Sequence, residues 1–468
     1  MSPKKQKIDK ARLAAAKVIH AVAFENAFSN ESAAFHLSSL GSDTRDKSFA
    51  SALIYGTLSY LPLIDYYIAQ ASSRPLESLD PSVLTVLRMG TWQLYFSYHV
   101  PPRAAVDESV KLVRFLSGER ATGFVNAIMR KLTRQKPELP ADERQALELG
   151  LTQELFEMLT RWYGEEHAIS IGQNSLQSPA YVPIRMNRMK TDEFNRWADS
   201  EEAKTLRLRK LVWPDCAYGL EPGGTDVTQL RAYRDGLFSL QSQSAMLVGA
   251  LSGVEPDDRV LDLCAAPGGK LSHVAELKGN VLGLVACDQS EERLLSLIEM
   301  MERLGFGEIE RHCLDATVHR DVFDDLFDLV LCDVPCTGLG LLQRRPEIRS
   351  RVTSETVERL LPIQRAILAN GSKAVVSGGL LMYSTCTINP EENEEQVKAF
   401  LDSDEGVAFE LVHLDMGSVG NDSENHSACG VQQMPESLLH VQLPGTLLLL
   451  PHVCHSDGFF IALMRRTR

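Results

Sequence analysis

Two cysteines follow two apolar segments in the second half of the chain. Cys336 comes after the run Phe327–Cys332, and Cys386 comes after the run Gly379–Tyr383. Both runs have the composition of buried parallel strands, and ligands and reacting groups gather at the carboxyl ends of such strands. Two thiols at one edge of one sheet predict a nucleophile and a helper rather than two packing residues.

A glycine-containing turn lies upstream, between a predicted strand at Arg259–Cys264 and a predicted helix at Leu271–Leu277. Glycines let the backbone approach a ligand closely, and the start of a helix presents free N–H groups. The spacing fits neither the dinucleotide motif nor the triphosphate motif, so these two ligand classes are disfavoured. The residues of this turn that are expected to hold a ligand are Cys264, Ala265, Ala266, Pro267, Gly268, Gly269 and Lys270.

Carboxylates end the next two predicted strands. Asp288 follows Val281–Cys287, and Asp315 follows Ile309–Leu314. A carboxylate at such a position accepts hydrogen bonds from a ribose diol. The succession predicts an adenosine-containing ligand across the strand ends, and the alternative for each side chain is a solvated carboxylate.

These motifs together resemble those of the RNA cytosine-5 methyltransferases of the Sun/Fmu (RsmB-like) family. The resemblance covers residues 180–468 and is specific in combination, although each motif is weak alone. It is carried by Asp262–Lys270, Asp333–Gly338 and Tyr383–Thr387, with further matches at Gln241–Ser244, Arg344–Arg349, Pro390–Asn393 and Asp457–Ala462. The resemblance implies an α/β Rossmann-like domain, S-adenosylmethionine as cofactor and RNA as substrate, with 16S ribosomal RNA as the expected target.

The resemblance also implies roles for four side chains. Cys386 would add to C6 of cytosine and so make C5 nucleophilic enough to accept a methyl group. Cys336 would assist release of the methylated product. Asp333 would hydrogen-bond the base near N3 and also contact the cofactor, and Lys270 would face the base. A free thiol has a pKa of about 8.5, so its surroundings must activate Cys386.

Other residues near these motifs have plainer interpretations. Four cysteines are expected to be small buried hydrophobic side chains: Cys264, Cys287, Cys313 and Cys332. Four glutamates are expected on the exposed first turn of a helix after Pro390: Glu391, Glu392, Glu394 and Glu395. The basic stretch Arg344–Arg349 is expected to contact RNA, with a solvated face as the alternative. Leu271 stands where many relatives carry Thr, and the polar stretch 417–436 is predicted to be a surface loop.

The N-terminal third has helical apolar periodicity and almost no strand-like alternation. Examples are Phe49–Ile68, Val83–Leu94 and Phe124–Leu132. An all-α bundle is the predicted structure. The segments Pro101–Val106 and Gly123–Arg130 resemble the NusB-type RNA-binding domain, and a purely scaffolding role is the alternative.

Charge supports a division of labour along the chain. The whole chain carries −14, yet residues 1–136 hold 18 basic and 11 acidic residues, which leaves +7 there and −21 in the remainder. The basic residues include Lys4, Lys5, Lys7 and Lys10, for which a solvated tail is the alternative. A basic domain beside an acidic one favours RNA recognition by the first and chemistry by the second.

Three domains are predicted: a helical domain at 1–140, a connector with a small α/β RNA-binding subdomain at 141–235, and the methyltransferase domain at 236–468. The middle region contains a predicted helix at Leu151–Tyr163 and a predicted strand at Pro183–Lys190. The family's basic entry segment is matched by Arg185, Asn187 and Lys190. We expect phosphate contacts there, which position RNA without specifying its sequence.

The composition argues against several other classes of protein. The nine cysteines include no C-x₂-C pair, and their odd number argues against a disulfide framework. Cys332 and Cys336 lack a matching second pair, which argues against a zinc site. No long apolar stretch predicts a membrane span, and the lysine-rich start lacks the apolar core of a signal peptide. We therefore expect a cytoplasmic monomer that uses no metal. The alternatives are a transfer RNA cytosine-5 methyltransferase, a DNA cytosine-5 methyltransferase with Cys336 as nucleophile, and a catalytically inactive RNA-binding ribosome assembly factor.

Overall fold

The computed structural model describes residues 8–41, 44–414 and 443–468. The predicted loop at 417–436 and three of the N-terminal lysines, Lys4, Lys5 and Lys7, lie outside the described residues. The chain divides into two compact units, residues 1–178 with 342–353 and residues 179–341 with 354–468. Within the described ranges, no helix is long and apolar enough to cross a membrane.

The first unit is helical, as its periodicity predicts. Its α-helices are α1 (Lys10–Phe24), α2 (Ser29–Ser38), α3 (Thr44–Ser59), α4 (Leu61–Ala71), α5 (Pro81–Tyr95), α6 (Pro102–Ser117), α7 (Glu119–Arg134), α8 (Arg144–Glu148), α9 (Gln153–Tyr163), α10 (Glu165–Ser175) and the later α17 (Ile348–Arg351). The carboxylates of Asp9 and Asp80 accept N–H groups at the starts of α1 and α5, and thereby satisfy donors that have no partner within the helix. Ile19, Leu87 and Met129 lie in one continuous apolar core. The predicted all-α bundle is confirmed.

A segment from the second half of the sequence, residues 342–353, belongs to this helical unit. Within it Arg349 is fully buried. Its Nη1 donates to the Leu149 carbonyl at 2.9 Å, and its Nη2 donates to Ser175 Oγ at 2.7 Å. A guanidinium without exposed surface cannot reach a phosphate. The expected RNA contact of the stretch 344–349 is therefore wrong for Arg349, whose hydrogen bonds hold the segment within the unit.

The second unit begins with a small antiparallel sheet in the order β2-β3-β1-β4. Its strands are β1 (Val182–Met186), β2 (Arg209–Lys210), β3 (Ala217–Leu220) and β4 (Phe238–Leu240), and its helices are α11 (Thr191–Ala198), α12 (Glu201–Thr205) and α13 (Arg231–Arg234). Phe194, Trp197 and Phe238 pack together in a local apolar core. The strand predicted to run to Lys190 ends at Met186, because a short 3₁₀ turn follows.

Two residues of the predicted basic entry segment are structural. Arg185 and Asn187 are fully buried. Asn187 Nδ2 donates to the carbonyls of Gly236 at 2.8 Å and Leu304 at 2.9 Å. The expected phosphate contacts are therefore wrong for these two residues. Lys190 keeps partial exposure, although its Nζ also donates to backbone carbonyls.

An eight-stranded sheet forms the body of the second unit, in the order β10-β12-β9-β8-β5-β6-β7 with β11 paired to β12. The strands are β5 (Val260–Asp262), β6 (Leu284–Asp288), β7 (Glu310–Cys313), β8 (Phe327–Asp333), β9 (Val375–Thr385), β10 (Phe409–Leu411), β11 (Thr446–Leu449) and β12 (Phe459–Arg466). The remaining helices are α14 (Gln243–Ala250), α15 (Gly269–Lys278), α16 (Glu291–Leu304), α18 (Ser354–Ala374), α19 (Glu394–Leu401) and α20 (Pro451–Cys454).

The strand order of the large sheet explains where its site must lie. Strands β5, β6, β7, β8 and β9 pair in parallel, whereas β12 pairs in an antiparallel manner with β9, β10 and β11. From β5 the chain moves outward first through β6 and β7 and then, on the other side, through β8 and β9. The order reverses between β5 and β8, which is the place where ligands bind in open α/β sheets. This arrangement confirms the predicted α/β Rossmann-like domain.

Candidate active site

The two predicted reactive thiols meet at the carboxyl ends of neighbouring strands. The Sγ atoms of Cys336 and Cys386 lie 3.3 Å apart, at hydrogen-bond distance for a thiol pair. Strands β8 and β9 are paired in parallel, with Asp333 opposite Ser384. Cys336 follows Asp333 by three residues and Cys386 follows Ser384 by two, so both thiols lie just beyond the paired strand ends and their sulfurs meet.

A charged pair lies at the same strand ends. Lys270 Nζ is 2.5 Å from Asp333 Oδ2, and the Ser384 hydroxyl donates to Asp333 Oδ1 at 2.8 Å. Lys270 Nζ also lies 5.3 Å from the centre of the Phe459 ring. The Lys270 side chain is 18% exposed and that of Asp333 is 24% exposed, so a ligand can reach both. The structure therefore brings together all four side chains predicted to act in catalysis.

The charged groups of this cluster shift the pKa values of Cys336 and Lys270. The hydrogen bond with the Cys386 sulfur, then burial, and then the charges of Cys386, Glu392 and Asp333 raise the pKa of Cys336 well above that of a free thiol. Burial alone would lower the pKa of Lys270, but the Asp333 carboxylate and then the Cys386 charge raise it above its ordinary value. Lys270 is therefore a fixed cation beside Cys386, and Cys336 holds its proton.

The predicted glycine-containing turn follows β5 and starts α15. Gly268 has φ +105°, and a Cβ at this position would lie 2.9 Å from the Leu297 side chain. Only glycine fits here, both for its backbone conformation and for its space. The N–H of Ala265 donates to the Cys287 carbonyl, which fixes the turn against β6. Pro267 is exposed, and Gly269 and Lys270 are partly exposed, so this part of the turn is open to a ligand.

Asp262 ends β5 below the turn and is 1% exposed. Its Oδ1 accepts the N–H of Cys264 at 3.1 Å. Burial, and after it the charge of Asp333, raises the pKa of Asp262 to about 7. This carboxyl group therefore changes charge near neutral pH.

Asp288 ends β6 and is only 3% exposed, with an ion pair to Arg293 at 3.1 Å. Arg293 also donates to the carbonyl of Ala266 in the glycine-containing turn. A carboxylate held in this way next to an open glycine turn fits a ribose diol. The sequence reasoning missed Arg293. Its position on the first turns of α16, five residues after the strand-end aspartate, is the signal that could have identified it.

Asp315 lies two residues beyond β7 and is exposed. Its Oδ1 accepts hydrogen bonds from the N–H and the hydroxyl of Thr317, and these bonds lower the pKa of Asp315. Its predicted contact with a cofactor stays a prediction.

A buried arginine connects the small sheet to the glycine-containing turn. Arg185 forms an ion pair with Glu276 at 2.7 Å, and both side chains are fully buried. The Arg185 guanidinium also donates to the Gly269 carbonyl at 2.6 Å, to Ser272 Oγ at 2.9 Å and to Gln241 Oε1. The residue that the sequence assigned to RNA phosphate instead orients the start of α15.

The four cysteines that were expected to be buried differ in their exposure. Cys287 and Cys332 are fully buried and Cys264 is partly exposed, whereas Cys313 is exposed. The interpretation of Cys313 as a buried hydrophobic side chain is therefore wrong, because β7 is the edge strand of the sheet. Leu271 is fully buried in the apolar core, so this helix position faces inward. Among the described residues, no cluster of three or more His, Cys, Asp or Glu side chains could hold a metal ion.

The glutamates after Pro390 were predicted to be exposed, which is wrong for two of them. Glu392 is fully buried and Glu394 is 2% exposed. Glu392 accepts hydrogen bonds from the residue after Cys336, so it belongs to the site. The role of Glu392 could not be predicted from the sequence, because the stretch 390–395 contains no local pattern that indicates a hydrogen-bond partner 55 residues away.

Comparison with known proteins shows which families this chain resembles. The model of the 16S rRNA methyltransferase RsmB/F family matches residues 250–465, and that of the NusB family matches residues 9–134. The probable ribosomal RNA small subunit methyltransferase B of Synechocystis sp. is 32% identical, covering 90% of this chain and 91% of its own. The corresponding probable enzyme of Bacillus subtilis is 30% identical with the same two coverages. The crystal structure of PH0851 shares the fold, with a TM-score of 0.83 and 22% identity over 99% of this chain and 100% of that chain.

Fold and site define a Rossmann-like methyltransferase preceded by a NusB-type helical unit. The chain belongs to the RsmB/F family of small-subunit ribosomal RNA methyltransferases.

Proposed function

We propose that this protein transfers a methyl group from S-adenosylmethionine to C5 of a cytosine in 16S ribosomal RNA, through a covalent adduct between Cys386 and C6 of the base. The observation that carries the proposal is the pair of thiols 3.3 Å apart beside the Lys270–Asp333 ion pair. Two adjacent thiols at a ligand-binding sheet edge suit covalent catalysis by one thiol with help from the other. The membership of the chain in a ribosomal RNA methyltransferase family supports RNA as the substrate.

The side chains support this chemistry as follows. The Cys386 thiolate forms a bond to C6 of cytosine, which moves electron density to C5. Asp333 accepts a hydrogen bond from the protonated N3 of the base and so favours the attack, while Lys270 stabilises negative charge near Cys386. Release then requires loss of the C5 proton and cleavage of the bond between sulfur and C6. Cys336 lies next to the Cys386 sulfur and is placed to assist this step.

The residues around the glycine-containing turn fit S-adenosylmethionine, which would supply the electrophilic methyl group. The buried Asp288 carboxylate would accept the ribose hydroxyls, and Arg293 holds that carboxylate against the turn. Gly268, where a Cβ would meet Leu297, lets the turn pack closely against α16, and the exposed Pro267 with the partly exposed Gly269 leaves the turn accessible to the cofactor. The remaining cofactor contacts are assigned to the exposed part of the turn and to Asp315 and Asp333.

The helical unit is assigned to RNA recognition. The net charge of +7 over residues 1–136 supports it, because neutralising phosphates supplies most of the affinity of proteins for nucleic acids. Its match to the NusB family model supports the same assignment.

The test of the proposed function is bisulfite sequencing of RNA treated with the purified protein and S-adenosylmethionine. Unmethylated 16S RNA and transfer RNA transcripts are the substrates, and Cys386→Ser is the control. We expect a new 5-methylcytosine in 16S RNA that Cys386→Ser does not produce. If 5-methylcytosine appears only in transfer RNA, then transfer RNA and not 16S RNA is the substrate. A folded protein that produces no mark would contradict the enzymatic function in favour of an inactive assembly factor.

A further inference from the structure

One fully buried carboxylate beside the site has no role in the chemistry described so far. Glu392 accepts four hydrogen bonds: from the Thr337 N–H at 2.9 Å, the Thr337 hydroxyl at 2.5 Å, Gln364 Nε2 at 2.9 Å and Asn389 Nδ2 at 3.0 Å. Each carboxylate oxygen receives two of these hydrogen bonds. All four donors are uncharged, and a negative charge is thus held inside the protein by neutral dipoles.

The donors to Glu392 come from both thiol-bearing loops. Thr337 directly follows Cys336, and Asn389 lies three residues after Cys386. Gln364 on α18 also donates to the Pro335 carbonyl, the residue just before Cys336. One carboxylate therefore joins the loop of one thiol to the loop of the other.

A directional chain of hydrogen bonds reinforces this connection. Because the carboxylate only accepts, the Thr337 hydroxyl must donate to Glu392. The Thr387 hydroxyl then donates to Thr337 Oγ1 at 2.8 Å, and the N–H of Asn389 donates to Thr387 Oγ1 at 3.3 Å. The backbone of Glu392 is fixed as well, since its carbonyl accepts the Tyr383 hydroxyl at 2.6 Å. The distance between the two sulfurs is thereby set by a closed network around one charge.

The two thiols consequently lie in opposite fields. The negative charge of Glu392 is one of the causes that raise the pKa of Cys336. Cys386 lies instead within the field of the Lys270 cation, whose own pKa is raised in part by the Cys386 charge. A proton shared between two sulfurs 3.3 Å apart is driven by this asymmetry toward Cys336.

We propose that Glu392 is a positioning residue that holds Cys336 against Cys386 and keeps the shared proton on Cys336, so that Cys386 carries the negative charge. The inference rests on the proposed function for its purpose, because it selects which thiol attacks C6. When the bond between sulfur and C6 forms, the charge on Cys386 disappears. The largest restraint on the Cys336 proton disappears with it, and Cys336 then becomes able to exchange protons during product release.

The test measures the thiols directly and needs neither RNA nor cofactor. The full-length protein is treated with iodoacetamide between pH 6 and 10, and peptide mass spectrometry gives the alkylation rates of Cys336 and Cys386. In the unchanged protein we expect faster alkylation of Cys386. In Glu392→Gln, which keeps the size and removes the charge, the ratio of Cys336 to Cys386 alkylation should rise about tenfold at neutral pH, the change that one pKa unit produces. Glu392→Asp, which keeps the charge, should restore at least part of the original ratio.

The matched control is Glu395→Gln, an exposed glutamate on α19 whose loss should leave the ratio unchanged. If Glu392→Gln does not fold, Thr337→Val is used, because it removes the hydroxyl that donates to Glu392 and accepts from Thr387 but leaves the carboxylate in place. A smaller rise in the same direction is expected. A ratio that stays within twofold of the unchanged protein in the folded variant contradicts the proposal. Because the readout is alkylation, this failure is distinguishable from a failure of methyl transfer.

Discussion

The Lys270 ammonium and the Asp333 carboxylate form an ion pair at the carboxyl ends of the parallel strands, although they are 63 residues apart in the chain. Lys270 is delivered by the first turn of α15, and Asp333 is the last residue of β8. The pair lies at the same strand ends as both thiols, so the proposed base site would have a cation on one side and a hydrogen-bond acceptor on the other. We expect the reactivity of Cys386 to depend on this arrangement.

Replacing Lys270 by Met should therefore remove the cation that stabilises the Cys386 thiolate. We expect methyl transfer in single-turnover assays to fall about 100-fold, the usual effect of losing one preorganised electrostatic contact. The control is Lys204→Met, a surface lysine whose side chain is 62% exposed. Equal rates for Lys270→Met and the unchanged protein would show that the ion pair has no part in the reaction.

Asp262 should make stability depend on pH. Its pKa is about 7 in the folded protein, against 3.8 for an aspartate side chain free in water. The folded state thus binds this proton more tightly, and its contribution to stability is lost as the pH rises from about 4 through about 7. The change is on the order of 4 kcal/mol at most, at 1.36 kcal/mol per pKa unit.

Urea unfolding at pH 5 and pH 8 measures this dependence. Asp262→Asn should become more favourable relative to the unchanged protein as the pH rises. The exposed Asp257→Asn is the control and should run parallel to the unchanged protein. Parallel behaviour of Asp262→Asn as well would show that Asp262 does not titrate in this range.

Asp288 should matter for cofactor affinity. Asp288→Asn keeps the shape of the side chain and removes the charge that pairs with Arg293. We expect the Kd for S-adenosylmethionine to rise by about 10-fold to 30-fold in calorimetry, which corresponds to about 1.4–2 kcal/mol. Asp321→Asn, at an exposed site, should bind as the unchanged protein does. An unaltered Kd in Asp288→Asn would place the ribose elsewhere.

Arg349 distinguishes a structural role from RNA contact. Arg349→Met loses two buried hydrogen bonds from a charged group, so the helical unit should lose about 3 kcal/mol of stability. The slope of RNA affinity against salt concentration should not change, whereas loss of a phosphate contact would reduce it by about one. The exposed Arg130→Met is the control for stability and should cost less than about 0.5 kcal/mol.

Much of this site could be predicted from the sequence because its residues directly follow apolar runs that form parallel strands. Asp333 and Cys336 follow one apolar run and Cys386 follows the next, and parallel strands put such residues at one edge. The residues that sequence reasoning misassigned are charged side chains that fold inward. Arg185, Arg349 and Glu392 look like surface residues in their local sequence, and their partners lie 91, 200 and 55 residues away. Burial of a charge depends on such distant partners, which no local pattern reveals.

The most direct test of the central claim is trapping of the covalent intermediate in Cys336→Ala. If Cys386 is the nucleophile and Cys336 assists release, this variant should accumulate protein linked to RNA on a denaturing gel, as a shifted band sensitive to nuclease. Sequencing the linked RNA should then identify a cytosine in 16S RNA, and the double variant Cys336→Ala with Cys386→Ala should give no band. A linked band from Cys386→Ala but not from Cys336→Ala would contradict the assignment and reverse the roles of the two thiols.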